Sequence, residues 1–193
     1  MRNSGSVAMK IFSFKTCSSS ETTRLGAVLL KEMASAGILK RGENFYVKLT
    51  GGPGAGKTTF IKGFVLNARR FSQLSGGGSP SFNILKIYEV RRKMSQGVII
   101  YHLDLYRLKK GVPVLEFFEP VKGNGIWVIE WADKLPHRLL PVLKTLEVRF
   151  AYSKVADNTR IIKMKTGNPL LEKIFSKKKN NGLALASSSL LLL

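Results

Sequence analysis

Residues Gly51 to Thr59 read Gly-Gly-Pro-Gly-Ala-Gly-Lys-Thr-Thr, and this run constrains the fold more than any other stretch of the chain. The spacing G-x-x-x-x-G-K-[ST] is met by Gly51, Gly56, Lys57 and Thr58. Glycines let a backbone pass close to an anion, so that successive N–H groups can point at it. In such a cradle the lysine bridges the β and γ phosphates of a nucleotide, and the hydroxyl of Thr58 ligates Mg²⁺. The flanks agree with this. Asn44 to Thr50 is rich in β-formers, and Thr58 to Ala68 carries Phe60, Ile61, Phe64 and Val65 at helical spacing. A strand, a loop and a helix in that order put the positive end of the helix dipole at the phosphates. The chain reads as a nucleotide-binding protein built on a P-loop.

The length of 193 residues fits one domain with appendages, and 44% hydrophobic residues suffice for a packed core. Lysine and arginine number 32 against 12 acids, a formal charge of +20. Such an excess repels itself unless salt or an anionic partner relieves it, and nucleic acid is the natural partner. Cys17 is the single cysteine, so no internal disulfide forms, and a reducing compartment is expected. With two histidines and one cysteine, the usual ligands cannot assemble a zinc cluster. No apolar run reaches bilayer length, so no membrane partner is expected. Met1 to Ser20 is basic, serine-rich and free of acids, like a transit peptide, yet Met9 to Phe14 alternates as a strand does. The fold is therefore expected to begin at once, with Met9 as an alternative start and a cytoplasmic address.

Ser18-x-x-Glu21 is a capping box that opens a helix with Leu25, Val28, Leu29 and Met33 on one face, ending near Gly37. Leu74-Ser-Gly-Gly-Gly78 resembles the signature of ATP-binding cassettes but lies too soon after the P-loop for that role, and reads as a mobile loop. Phe82–Val90 and Val98–Asp104 are β-rich, joined by a basic turn from Arg91-Arg92-Lys93 to Gly97. Gly125 to Glu130 is a short apolar run ending in an acid, as a buried parallel strand would. Thr145–Ala151 and Thr159–Lys165 are two further strands, and Asn168-Pro169 opens a last short helix. The expected architecture is α/β, a three-layer P-loop NTPase fold with a mostly parallel sheet and antiparallel additions. Residues 1–9 form an extension, 10–175 the ATPase domain, and 176–193 a basic, low-complexity tail expected to be disordered.

A P-loop needs carboxylates at the ends of neighbouring strands to hold Mg²⁺ and position water. Asp104 and Glu130 both stand there, and the residues alone do not say which is the metal acid. Composition favours a core place for Trp131. No Asn-Lys-x-Asp sequence specifies guanine, so adenine is the default base. Arg107 reads as a phosphate contact or a surface pairing partner.

Four segments together resemble the TsaE family, small ATPases of bacterial tRNA threonylcarbamoyladenosine (t6A) biosynthesis. They are Gly51–Thr59, Ser79-Pro80-Ser81-Phe82, His102-Leu-Asp104-Leu-Tyr106-Arg107 and Ile129-Glu130-Trp131, in the family's order and spacing. The resemblance covers about residues 20–165. It implies ATP and Mg²⁺ bound through Lys57, Thr58 and Glu130, with Thr58 and Glu130 as metal ligands. It makes Lys57, Asp104 and Glu130 the catalytic set, with Asp104 organising the hydrolytic water or the switch and Trp131 important for activity. Gly52, Pro53, Gly54, Ala55, Gly56, Thr59, Ser19 and Arg160 complete the expected nucleotide site, and Ser79–Phe82 corresponds to a switch loop. The implied partners are the TsaD and TsaB subunits, with tRNA met through that complex. ATP hydrolysis would support repeated t6A synthesis on tRNAs that read ANN codons.

The chain departs from the family at Gly52-Pro53, where Asp-Leu is usual, and at Ser81 in place of a threonine. The segment from Arg107 to Glu130 is also short. Neither the charge nor the C-terminal tail follows from the family. Two rival readings keep the same loop: a small P-loop kinase, and an adaptor in which ATP orders Ser79–Phe82 for docking without turnover. For direct RNA contact the candidates are Arg91-Arg92-Lys93 and Lys177-Lys178-Lys179, each of which is otherwise a solvated charge run.

Overall fold

The fold is described from a computed structural model, over residues 8–38, 43–66, 68–71, 84–92, 95–108, 125–136, 139–153 and 158–180. Eight strands form one sheet: β1 (Lys10–Thr16), β2 (Phe45–Thr50), β3 (Ala68–Phe71), β4 (Leu85–Arg92), β5 (Ser95–Asp104), β6 (Ile126–Glu130), β7 (Thr145–Tyr152) and β8 (Arg160–Thr166). Their spatial order is β1-β8-β7-β2-β6-β5-β4-β3. The middle strands β7, β2, β6 and β5 run parallel, while β1–β8, β8–β7, β5–β4 and β4–β3 pair antiparallel. This is the expected mixed α/β sheet, parallel at its core and antiparallel at both edges. Every residue of β6 is buried, as an apolar run between two parallel neighbours requires.

Among the described residues three helices, α1 (Ser19–Ser35), α2 (Lys57–Phe64) and α3 (Pro169–Asn180), pack with one face of the sheet. Their apolar residues join Val47, Leu49, Ile126, Val128, Leu146 and Val148 in one core. Alternation turns Tyr101, Leu103, Trp127 and Ile129 to the other face, where a 3-10 turn at Ala132–Lys134 and nearby loop residues cover them. No helix among the described residues is long and apolar enough to cross a membrane.

Local chemistry explains the helix ends. Ser18 Oγ accepts from the N–H of Glu21 at 3.1 Å, and Glu21 Oε2 accepts from the N–H of Cys17 at 2.7 Å. The capping box therefore forms, with its return bond taken one residue earlier than usual. Asn168 Oδ1 caps α3 by accepting from the N–H groups of Leu170 and Leu171. Phe175 then stacks its ring edge on Phe12 and Phe14 of β1, at centroid distances of 5.2 and 5.6 Å.

Three sequence boundaries move. The helix expected to reach Ala68 stops at Phe64, because Ala68–Phe71 pairs as β3 with β4. Arg91 and Arg92 belong to β4 and Ser95–Gly97 to β5, so the hairpin connection is tighter than its sequence suggests. Ser176 to Asn180, assigned to a disordered tail, continue α3, since the helix is capped and anchored through Phe175. The Leu74–Gly78 loop, Ser79–Phe82 and residues 181–193 lie outside the described residues.

Helix α2 crosses α1 at two glycines. A Cβ on Gly63 would stand 2.0 Å from the carbonyl oxygen of Thr23, and one on Gly26 would stand 2.1 Å from that of Phe60. The atoms that would clash are backbone, so they have no rotamer with which to yield. Thr23 Oγ1 lies between two carbonyls, 3.0 Å from that of Ser19 in its own helix and 3.2 Å from that of Thr59 in the first turn of α2. Gly63→Ala is expected to destabilise the protein by about 1–3 kcal/mol despite alanine's better helix propensity. Urea unfolding of the variant checks this, and a gain in stability would contradict the close crossing.

Candidate functional site

The loop after β2 is shaped by two contacts with the end of β7. Gly51 takes φ +137°, and a Cβ there would meet the carbonyl oxygen of Phe150 at 2.5 Å. The hydroxyl of Tyr152 donates to the carbonyl of Pro53 at 2.9 Å. Gly56, at φ +106°, is the N-cap of α2, a left-handed turn that a side chain would resist. Gly52 has open space around it, so the exchange of the family's aspartate for glycine costs no packing.

Lys57 lies inside this loop. Its Nζ donates to the carbonyls of Gly51 at 2.7 Å and Gly52 at 2.8 Å, and sits 3.9 Å from the centre of the Trp131 ring. The residue is 4% exposed. Burial lowers the pKa of its ammonium, and the negative charges of Glu130, Asp104 and Asp133 oppose that shift. A cation is thus held, desolvated, where the sequence places nucleotide phosphates.

Across from it, Thr58 Oγ1 donates to the carboxylate of Glu130, at 2.9 Å from Oε2 and 3.2 Å from Oε1. His102 Nε2 lies 2.9 Å from Oε1 of the same carboxylate. Glu130 is 2% exposed. Parallel pairing sets Asp104 directly beside Glu130, at the ends of β5 and β6. Asp104 Oδ1 accepts from the N–H of Tyr106 at 3.0 Å, a short turn that leads the chain away.

The oxygens present suit Mg²⁺. That ion takes oxygen ligands at about 2.0–2.1 Å in an octahedron, which spaces adjacent ligands about 2.9 Å apart. The 2.9 Å between Thr58 Oγ1 and Glu130 Oε2 fits this spacing. No group of three or more His, Cys, Asp or Glu able to hold a metal occurs among the described residues. A single carboxylate and a hydroxyl agree with a Mg²⁺ that takes its other ligands from phosphates and water.

Ser19 and Arg160 both lie on the far side of the loop. With Cys17, Asn158 and the loop residues Gly54, Gly56 and Thr59, they line a pocket of about 310 Å³. Arg160 is stacked 4.3 Å over the Tyr152 ring, so the residue that braces the loop also orients the arginine. Gly52, Pro53 and Ala55 form the outer turn, closed by the N–H of Ala55 on the carbonyl of Gly52. Arg107 is exposed in the turn after Asp104.

Trp131 corrects its core assignment. It is only half-buried, adopts a left-handed backbone at φ 57°, and spreads its ring between Lys57 and Tyr106. A bulky residue rarely takes that conformation. His102 and Cys17 were not singled out from the sequence as site residues. For His102 the signal was available, since strand alternation sets position 102 on the same face as Asp104. Nothing in the spacing of Cys17 points to the pocket.

Comparison with known proteins gives one family. The sequence model described as threonylcarbamoyl adenosine biosynthesis protein TsaE matches residues 16–162. A protein of Treponema pallidum named tRNA threonylcarbamoyladenosine biosynthesis protein TsaE is 30% identical over 150 residues, covering 75% of this chain and 93% of that protein. The protein of the same name from Bacillus subtilis is 32% identical over 142 residues, covering 70% and 78%. The crystal structure of Bacillus subtilis YdiB is similar with a TM-score of 0.52 and 25% identity, covering 90% of this chain and 99% of that one.

The desolvation of Lys57 has a pH signature. Its pKa is lower in the folded chain than in the unfolded one, so below the folded value both states hold the proton and the burial penalty is constant. Between the folded and the ordinary lysine values the unfolded state binds more protons, and stability rises with pH. The unfolding free energy of the wild type minus that of Lys57→Met should therefore climb from neutral pH toward about pH 10. Paired urea melts measure it, and a difference that falls over that interval would show the lysine to be stabilised, not penalised, by its site.

Proposed function

The chain belongs to the TsaE family of tRNA threonylcarbamoyladenosine biosynthesis proteins, and from that premise we propose that it is a Mg²⁺-dependent ATPase serving this modification. It acts with TsaD and TsaB subunits on tRNAs that read ANN codons. The observation that carries the reading is the convergence of Lys57, Thr58 and the buried carboxylate of Glu130 at the start of α2.

Each residue has a task that its surroundings support. Lys57 exchanges the carbonyls of Gly51 and Gly52 for the β and γ phosphates, leaving the face of Trp131 as it does so. Thr58 and Glu130 hold the metal, and the N–H groups opening α2 face the phosphates with the helix dipole behind them. Bound Mg²⁺ supplies neutralisation of the charge that builds on the transferring phosphoryl group. Asp104, beside Glu130 in register, orients the attacking water. Ser19 and Arg160 take the nucleoside side in the pocket that they line.

A tRNA contact is supported on the face of the sheet that points away from the helices. There Ser13, Lys163 and Arg149 form one row across β1, β8 and β7, all exposed, with Lys15 nearby on β1. Lys163 and Arg149 stand directly opposite each other, an arrangement that repels in the free protein and is relieved by a polyanion. Glu147 is the one acid on these three strands, and it is engaged by Lys48 and Lys165. The side chains of Arg91 to Lys93 and of Lys178 and Lys179, the earlier candidates, lie outside the described residues.

Three outcomes follow from this reading. Lys57→Ala should lose ATP binding by about 2–4 kcal/mol, as removal of a charge-assisted phosphate contact does, and calorimetric titration measures it. Glu130→Gln should weaken Mg²⁺-dependent binding, whereas Asp104→Asn should spare binding and slow turnover measured with the TsaB–TsaD pair. Turnover that stays at background with the pair present would favour the adaptor reading, and phosphate transfer to a small molecule would favour a kinase. Replacing Lys163 and Arg149 with alanine should flatten the salt dependence of tRNA binding by about two in its logarithmic slope and leave ATP binding unchanged. An unaltered slope would remove this face from the reading.

A further inference from the structure

The geometry assigns His102 a role that we propose as new: it is a positioning residue whose ring N–H holds Glu130 Oε1, keeping Oε2 turned to Thr58 and the metal. This rests on the reading of Glu130 as the Mg²⁺ carboxylate. The hydroxyl of Thr58 carries one hydrogen, and its shorter contact, 2.9 Å, is to Oε2. Oε1 is then left to His102 Nε2 at 2.9 Å. Each oxygen of a carboxylate that is 2% exposed thus has its own donor, which a buried charge requires. A carboxylate only accepts, so the hydrogen of the imidazole is on Nε2.

The other ring nitrogen strengthens the case. His102 is 4% exposed and its Nδ1 is buried with no hydrogen-bond partner among the described residues. An apolar side chain would fill the same space without that cost. The cost is offset by the bond that Nε2 makes to Glu130. Backbone register explains the reach. His102 pairs with Val128, one pleat below the Asp104–Glu130 pair, so its ring meets Glu130 diagonally across the parallel strands. Residues that hydrogen-bond to a metal's ligands typically change its affinity by about 10–100-fold when removed.

The test uses the full chain and needs no turnover. ADP binding is followed by calorimetry, first in EDTA and then across a Mg²⁺ titration. His102→Leu should raise the half-saturating Mg²⁺ concentration at least about tenfold and leave ADP affinity in EDTA unchanged. His102→Gln, whose side-chain N–H reaches a similar point, should restore most of the loss. Two-bond ¹H–¹⁵N spectra of the nucleotide-free and metal-free wild type should show a hydrogen on His102 Nε2, assigned by the signal that His102→Gln removes. An unchanged half-saturation in His102→Leu, an equal loss in EDTA, a glutamine no better than leucine, or an Nε2 without hydrogen would each overturn the role. Wild-type ADP binding that ignores Mg²⁺ would remove the Glu130 reading as well, which separates that failure from failure of His102 alone.

Discussion

The parallel pairing of β6 between β2 and β5 is the constraint on which the rest of this molecule depends. It aligns Leu49 of β2, Glu130 of β6 and Asp104 of β5 at one level, so three strands end together. The chain leaving β2 must turn at once, and it does so through the glycine loop. Helix α2 then returns over the helix-side core, and its first residues, Lys57 and Thr58, come down beside the two acids. Close crossing of α1 and α2 through Gly26 and Gly63 sets how near that helix can lie.

What this arrangement brings together is costly for folding. An ammonium is desolvated among loop carbonyls, a carboxylate is buried beside it, one imidazole nitrogen has no partner among the described residues, and a tryptophan takes a left-handed backbone. Each of these departs from what a stability-driven core would choose, and all lie in the same few residues. Such costs persist where surrounding packing over-determines them and function uses the result. Here the packing is the fully buried β6 and the aromatic cluster of Phe60, Phe64 and Phe150 beneath the helix.

The charge of the chain belongs to a different surface. At the P-loop Lys57 is an enclosed cation, countered by Glu130, Asp104 and Asp133. On the β1–β8–β7 face the positive charges are exposed and aligned across strands. The first geometry suits one compact polyphosphate with a metal, and the second suits an extended polyanion.

The local rules that sequence obeys were enough for the loop, the capping box at Ser18, the buried strand ending at Glu130 and the asparagine cap at Asn168. Each is a short-range statement about spacing, hydrogen bonding or hydropathy, so it can be read without knowing what packs where. What only the tertiary structure decided are the long-range pairings. Ala68–Phe71 became a strand because β4 offered an edge, although its own residues extend a helical pattern. Trp131 left the core because the parallel register set it over Lys57. Both Asp104 and Glu130 end strands in the sequence; register and the position of α2 put the Thr58 hydroxyl against Glu130 and left Asp104 beside it. Strand alternation sets His102 on the face of Asp104, but its partner there, Glu130, is decided by the pairing of β5 with β6.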